Sequence, residues 1–224
     1  LGQSIEELPL GRELTRCCGY GGLAAAADPS MGDAYALDRA NDTDATLLAY
    51  CIMCRDRLRA VGKPTLHLLD LLFPIEPFEQ AAERPAPGIS ARQAASLAFR
   101  QSLLHTLWGE HPVRNAVMDA LHLHISDAVA ANLEARRILH TDIKAVLLHA
   151  ETHGAQFCNA ATGRSLASLR PRQVTFWVEY SKEADGAYTI HDAYCHRMVV
   201  PGVPGDGAAS PCACESSAHE GGSA

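Results

Sequence analysis

Two cysteines adjacent in a chain cannot bond each other without straining an eight-membered ring outside ordinary disulfide geometry. This chain carries such a pair, Cys17-Cys18-Gly19, followed after thirty-two intervening residues by Cys51-Ile52-Met53-Cys54. Both sets therefore read as thiolate ligands. The apolar run Ala45 to Tyr50 gives way at Cys51 to the charged Arg55-Asp56-Arg57-Leu58-Arg59, the pattern of a strand feeding a helix. Cys51 and Cys54 are thus expected at a helix N-terminus, where unpaired N–H groups and the positive end of the helix dipole lower thiol pKa and stabilise a negative metal–thiolate centre. A zinc ribbon draws its ligands from two short C-x-x-C-like turns and has no use for a C-C pair.

Arg16 to Phe73, through Cys17-Cys18-Gly19-Tyr20-Gly21-Gly22, Cys51 to Cys54 and His67-Leu68-Leu69-Asp70-Leu71-Leu72, resembles the second half of the CCG domain. That domain is the cysteine-rich module of the B subunit of heterodisulfide reductase and of related iron–sulfur oxidoreductase subunits. The resemblance implies that Cys17, Cys18, Cys51 and Cys54 hold an iron–sulfur cluster of [4Fe-4S] type, the non-cubane form that uses five cysteines included. It implies an electron-transfer component of an oxidoreductase, not competent alone, with other redox subunits or a flavin or ferredoxin-like electron donor as partners. In the family a further cysteine precedes the C-C pair. None precedes Cys17 and the chain opens on Leu1, so the expectation is the C-terminal part of a longer polypeptide. Two alternatives stay open: a structural zinc-binding assembly module on the same thiolates, and a thiol–disulfide oxidoreductase working through Cys51 and Cys54.

The 224 residues, with 47% apolar and 20% charged, suffice for one good core or two small ones. A formal charge of -7 argues against nucleic acid or an anionic membrane as partner, since both are bound through basic surfaces. No stretch approaches the ~20 apolar residues of a membrane helix. Eight cysteines in C-C and C-x-x-C spacings favour thiolates in a reducing cytoplasm over a secreted disulfide scaffold.

The expected fold class is α/β: the C-terminal half of a CCG-type layer over residues 1–73, a proline-punctuated linker over 74–89, an α+β module over 90–200 and a disordered tail over 201–224. In the first part, Gly19, Gly21 and Gly22 let the backbone approach a bulky cluster. Strands before Cys51 and at Thr65 to His67 should lie parallel, with a short helix from Leu68 to Phe73. His67 reads as a hydrogen-bonded structural group, and Tyr20 and Tyr50 as packing that shields the site from water.

In the second part, a capping box Ser90-x-x-Gln93 opens a helix to Trp108 with Gly109 as its stop, its face formed by Ala94, Leu97, Ala98, Leu104 and Trp108. A helix follows from Ser126 to Arg137. Thr141 caps a third, whose Ile143, Val146, Leu147 and Ala150 keep helical spacing to Gly154. Strands at Gln173 to Tyr180 and Tyr188 to Val200 form a hairpin, and Arg164 to Leu169 adds a third strand or a meander. Thr175 to Tyr180 and Ala193 to Met198 look like the extension that follows a CCG domain in some large iron–sulfur and pyridine-nucleotide-linked oxidoreductases. His149, His153, Cys158, His191, Cys195 and His196 raise a second metal site, against which stands the plainer reading of a hairpin packed on the third helix with Cys158 and Cys195 as small core residues. Cys212 and Cys214, with His219, sit in the tail.

Overall fold

The computed structural model describes residues 4–110 and 116–198. The expected tail, with Cys212, Cys214 and His219, lies outside the described residues, as do the last residues of the hairpin's second strand, 199–200. The chain divides into two compact units, Leu1–Pro87 and Gly88–Ala224, and mixes helix and sheet in each.

The first unit begins with an irregular lead-in and the cysteine turn, then a four-residue helix α1 (Ala24–Ala27) and α2 (Pro29–Ala40). Asp28 starts α2, its carboxylate accepting the N–H groups of Ser30 (3.0 Å) and Met31 (3.1 Å), with Pro29 at the first helical position, where its missing N–H costs nothing. β1 (Leu47–Ala49), α3 (Ile52–Ala60) and β2 (Thr65–His67) form a right-sized parallel unit in the register Leu47↔Thr65, Leu48↔Leu66, Ala49↔His67, since parallel strands need a long crossover. α4 (Leu68–Leu72) continues directly from β2.

Its apolar core is small: Ala40, Leu47 and Leu58 are buried together, with Leu8 and Val61 packed against them. Among the described residues the largest fully buried side chain is instead a charged one, Arg55, at 1% exposure. Its guanidinium donates to the carbonyl of Thr65 on β2 (3.2 Å), to Asp56 Oδ1 (3.0 Å), and to the carbonyls of Ala81 (2.9 Å) and Arg84. A buried guanidinium is tolerated where its donors all find acceptors, and removing such a group strands the acceptors it served.

The residues that receive Arg55 revise the expected linker. Pro74 and Pro77 do not space the chain; Pro77 stands at the N-cap of α5 (Phe78–Glu83), whose Ala81 and Ala82 are 2% exposed. Residues 78–84 belong to the first unit, and the chain passes to the second at Pro87 and Gly88.

The second unit holds α6 (Ile89–Trp108), α7 (Ala116–Asp119), β3 (Leu123–Ile125), α8 (Asp127–Arg136), α9 (His140–His153), β4 (Gln156–Asn159), β5 (Arg164–Leu169), β6 (Thr175–Lys182) and β7 (Tyr188–His196). The strands form one sheet in the order β3-β7-β6-β5-β4. β4 to β7 run antiparallel, while β3 lies parallel to β7, so a meander, rather than a hairpin with one added strand, carries two strands that periodicity did not show. Both are short, at three and four residues. A bulge between Glu179 and Tyr180 pairs Glu179 with Asp192 and Tyr180 with Ile190, leaving His191 as the extra residue.

The core lies where α9 meets the sheet: Ile143, Val146, Leu147 and Ala150 pack with Leu133, Ala167, Val178, Tyr180, Tyr188, Ile190 and Ala193. Gly109 and Gly154 end α6 and α9 in the left-handed conformation, at φ 65° each. Two caps differ from the expected ones. α6 starts at Gly88, which has no side chain to cap with, and the Glu134 carboxylate of α8 accepts the Ile89 N–H instead (2.9 Å). Ser90 and Gln93 serve α9: Ser90 Oγ accepts the His140 N–H (3.0 Å), and Thr141 donates its hydroxyl to Gln93 Oε1 (3.1 Å), while Asp142 caps Leu139 (3.0 Å). No residue of α6 is buried, so its apolar stripe is not a core face, with Leu97 and Trp108 exposed.

Arg55→Ala is expected to destabilise the first unit by about 3–5 kcal/mol, the cost typical of breaking a buried ion pair from one side. Denaturant unfolding followed separately on the two units checks it: the second unit's midpoint stays where it is.

Candidate thiolate site

Cys17 and Cys18 sit on a turn shaped by glycine. Gly19 has φ +79°, and a Cβ there would stand 2.3 Å from the Gly32 carbonyl oxygen of α2. A Cβ on Gly32 would in turn meet Arg57 at 2.5 Å and the Ala25 Cα at 2.8 Å. The glycine of the C-C-G motif is thus required by a backbone-to-backbone crossing with α2. Gly22, at φ +62°, has nothing within 4 Å of where its Cβ would be. The crossing turns Cys18 inward, to 8% exposure, and leaves Cys17 exposed with the Gly19 N–H donating to its sulfur (3.3 Å).

Cys51 is the N-cap of α3, with extended backbone at φ -104° and ψ 123°. This is the strand-to-helix junction expected from the sequence. The Cys54 N–H, aimed at the Cys51 sulfur, is the main cause of a pKa below the ordinary thiol value; burial opposes it and the Met53 N–H adds to it. Cys54, one turn on, moves the other way. Burial pushes its pKa up, and the neighbouring Cys18 and Cys51 sulfurs add to the rise because a second negative charge beside them is unfavourable.

Cys18 Sγ and Cys54 Sγ lie 2.9 Å apart across thirty-six positions of sequence. The structure therefore gathers Cys18 and Cys54 in contact and Cys51 against Cys54, with Cys17 on the adjoining turn. Among the described residues no three His, Cys, Asp or Glu side chains are grouped as a ready metal site. Thiolates sharing one tetrahedral zinc at about 2.3 Å stand about 3.8 Å from each other, so Cys18 and Cys54 have to part before both can bind it. By donor type the set fits a thiophilic centre: four soft sulfurs, one favoured as thiolate by the start of a helix.

His67 is fully employed elsewhere. The Leu69 N–H donates to its Nδ1 (3.1 Å), which leaves the proton on Nε2, and Nε2–H donates to the Tyr50 carbonyl (2.9 Å). Asp70 closes the cap by accepting the His67 N–H (2.9 Å). Tyr20 and Tyr50 do not shield the thiols as expected: they are 47% and 86% exposed, because β1 ends at Ala49 and Tyr50 has turned off the sheet.

Among the described residues, the histidines and cysteines of the second unit do not assemble a further site. His149 and His153 lie with their rings 4.3 Å apart and tilted at the end of α9, His153 Nδ1–H donating to the His149 carbonyl (3.0 Å). His191 pairs with Ser181 (2.9 Å), His196 Nε2 accepts the Trp177 indole N–H (3.1 Å), and Cys158 faces Ser165 (3.7 Å). Cys195 is exposed rather than a core residue; it lies close to the end of β7.

Sequence reasoning missed Arg55 and Gly32. Arg55 stands three before the buried Leu58 on a helix where apolar residues are scarce, a position that had to face inward even though it is charged. Compared with models of known protein families, with curated proteins and with solved structures, the chain matches none.

Gly19→Ala should cost well over the ~1 kcal/mol that a left-handed residue alone loses, while Gly22→Ala should cost only about that much. Thermal melts of the two variants decide the comparison. The pH dependence follows from Asp70. Burial raises its pKa, but the His67 N–H and the Arg84 guanidinium (3.0 Å) outweigh that and hold it below its ordinary 3.8. A depressed carboxylate contributes stability above its unfolded pKa and loses it as pH falls through the folded one. The first unit should accordingly lose stability below about pH 4 more steeply than its Asp70→Asn variant does, a difference read from denaturant midpoints across pH 2–5.

Proposed function

We propose that this chain is an electron-transfer component of a heterodisulfide-reductase-like oxidoreductase, with Cys17, Cys18, Cys51 and Cys54 holding an iron–sulfur centre. One observation supports this beyond the motif: Cys18 and Cys54, thirty-six positions apart, meet at 2.9 Å beside the helix start that carries Cys51. Such a centre, when bound, supplies one-electron transfer at a potential set by burial and hydrogen bonding to its sulfurs. The protein contributes backbone N–H groups aimed at Cys51, a half-buried Cys54 and a buried Cys18 that lower the local dielectric, and the Gly19 N–H at Cys17. In this reading the partner is another redox subunit or domain with a flavin or ferredoxin-like donor. No helix of the described residues is long and apolar enough to cross a membrane.

A second reading is favoured by the contact between the Cys18 and Cys54 sulfurs. Sulfurs already in contact need move about 1 Å to share a single zinc, and the module would then serve assembly and not redox chemistry.

Anaerobic purification followed by iron, zinc and acid-labile sulfide analysis separates the two. Brown protein with iron and sulfide supports the cluster, and colourless protein with one zinc supports the alternative. Cys51→Ser and Cys54→Ser should each abolish metal retention, whereas Cys158→Ser and Cys195→Ser leave it unchanged; retention in the first two variants would sink both readings.

A further inference from the structure

We propose that Cys18 and Cys54 form a dithiol–disulfide couple that closes the thiolate site against metal. The C-x-x-C motif singles out Cys51 and Cys54 as the redox pair, but the sulfurs in van der Waals overlap are those of Cys18 and Cys54. Both are held by rigid parts of the first unit. Cys18 is seated by the Gly19 crossing on Gly32, and Cys54 rides on α3, which Arg55 fastens to β2 and α5. Reacting atoms fixed within about 3–3.5 Å of each other are already close to the geometry of attack. Closing from 2.9 Å to the ~2.05 Å of a disulfide asks for a displacement that side-chain rotation can supply.

The oxidant is a low-molecular-weight disulfide, such as oxidised glutathione. Cys18 is the more buried of the pair, so the small disulfide meets Cys54. The Cys54 sulfur attacks it in its thiolate form, scarce because burial raises its pKa but the more nucleophilic for it: a Cys54–glutathione bond forms, the glutathione S–S bond breaks, and one glutathione leaves. The Cys18 thiolate then attacks the Cys54 sulfur, the Cys18–Cys54 bond forms, and the second glutathione leaves. In balance, two protein thiols become one disulfide and one oxidised glutathione becomes two reduced molecules, which carry off the two protons and two electrons. The product cannot coexist with a shared metal, because sulfurs about 2.05 Å apart cannot occupy ligand positions about 3.8 Å apart. Only this last consequence rests on the metal-binding reading; the couple itself does not.

Methionine placement makes the pair easy to map. Cyanogen bromide cuts after Met31 and Met53, which puts Cys17 and Cys18, Cys51, and Cys54 on three separate fragments. The full chain, freed of metal with a chelator and reduced, is exposed to oxidised glutathione, acid-quenched, alkylated and cleaved. The expected product links the fragment ending at Met31 to the one beginning at Cys54, with two thiols lost per chain. The link should survive Cys17→Ser and disappear in Cys18→Ser. A dominant link between the Cys51 and Cys54 fragments, no link, or a link that survives Cys18→Ser overturns the proposal; if Cys18→Ser misfolds, the Cys17→Ser map decides, since Cys18 is then the only cysteine on the fragment ending at Met31. Zinc titration adds the consequence. Oxidised protein should take up less than a tenth of the zinc taken up by reduced protein, with recovery on adding a thiol reductant; equal uptake overturns the closing role. If the link forms while reduced protein binds neither iron nor zinc, the couple stands and the metal-binding reading fails.

Discussion

The first unit depends on a buried positive charge. Among the described residues three buried apolar side chains form its central cluster, and at about 25 cal/mol per Å2 of buried apolar surface a core of that size leaves little margin against chain entropy. Arg55 supplies the missing connections. One guanidinium reaches the carbonyls of β2 and of α5 and the segment after it, as well as Asp56, so it ties together elements whose side chains are too few or too small to do so. Its planar fork serves several acceptors at once, which a lysine ammonium cannot reproduce with the same geometry. Because domains are stable by only about 5–15 kcal/mol, the cost of losing Arg55 is comparable with the unit's whole stability.

That anchorage bears on the thiols. α3 carries Cys51 at its start and Cys54 in its first turn, one residue before Arg55. The network that fastens α3 therefore also sets where the two sulfurs stand. On the other side, Gly19 and Gly32 bring the C-C turn onto α2 closely enough to aim Cys18 inward. Opposite pKa shifts follow from this placement: the helix start favours the thiolate of Cys51, and burial beside two other sulfurs disfavours that of Cys54.

The second unit is built on different physics. Its core is apolar and well filled, one face of α9 against the inward side of a five-stranded sheet. Polar side chains act there as joints between helices, as with Glu134 at the start of α6 and Ser90 at the start of α9. His153, His191 and His196 each bond a neighbour on α9 or within the sheet, which is why their spacing in sequence carries no site.

What the sequence by itself determined was local. The apolar-to-charged switch at Cys51 marks a strand entering a helix, Thr65 to His67 returns as the parallel partner, Gly109 and Gly154 stop their helices, and Val174 to Tyr180 alternates as a strand with one face inward. Each of these follows from φ/ψ preference or side-chain period over a few neighbouring residues. The tertiary structure alone decided the rest. A charged Arg55 became a core residue because acceptors from β2 and α5 converge on it, Gly19 became indispensable because α2 crosses it, β3 joined the sheet because β7 offered a free edge, and Cys18 came to lie 2.9 Å from Cys54. Those outcomes are set by contacts between segments tens of residues apart, and no local periodicity encodes which distant group will supply the missing partner.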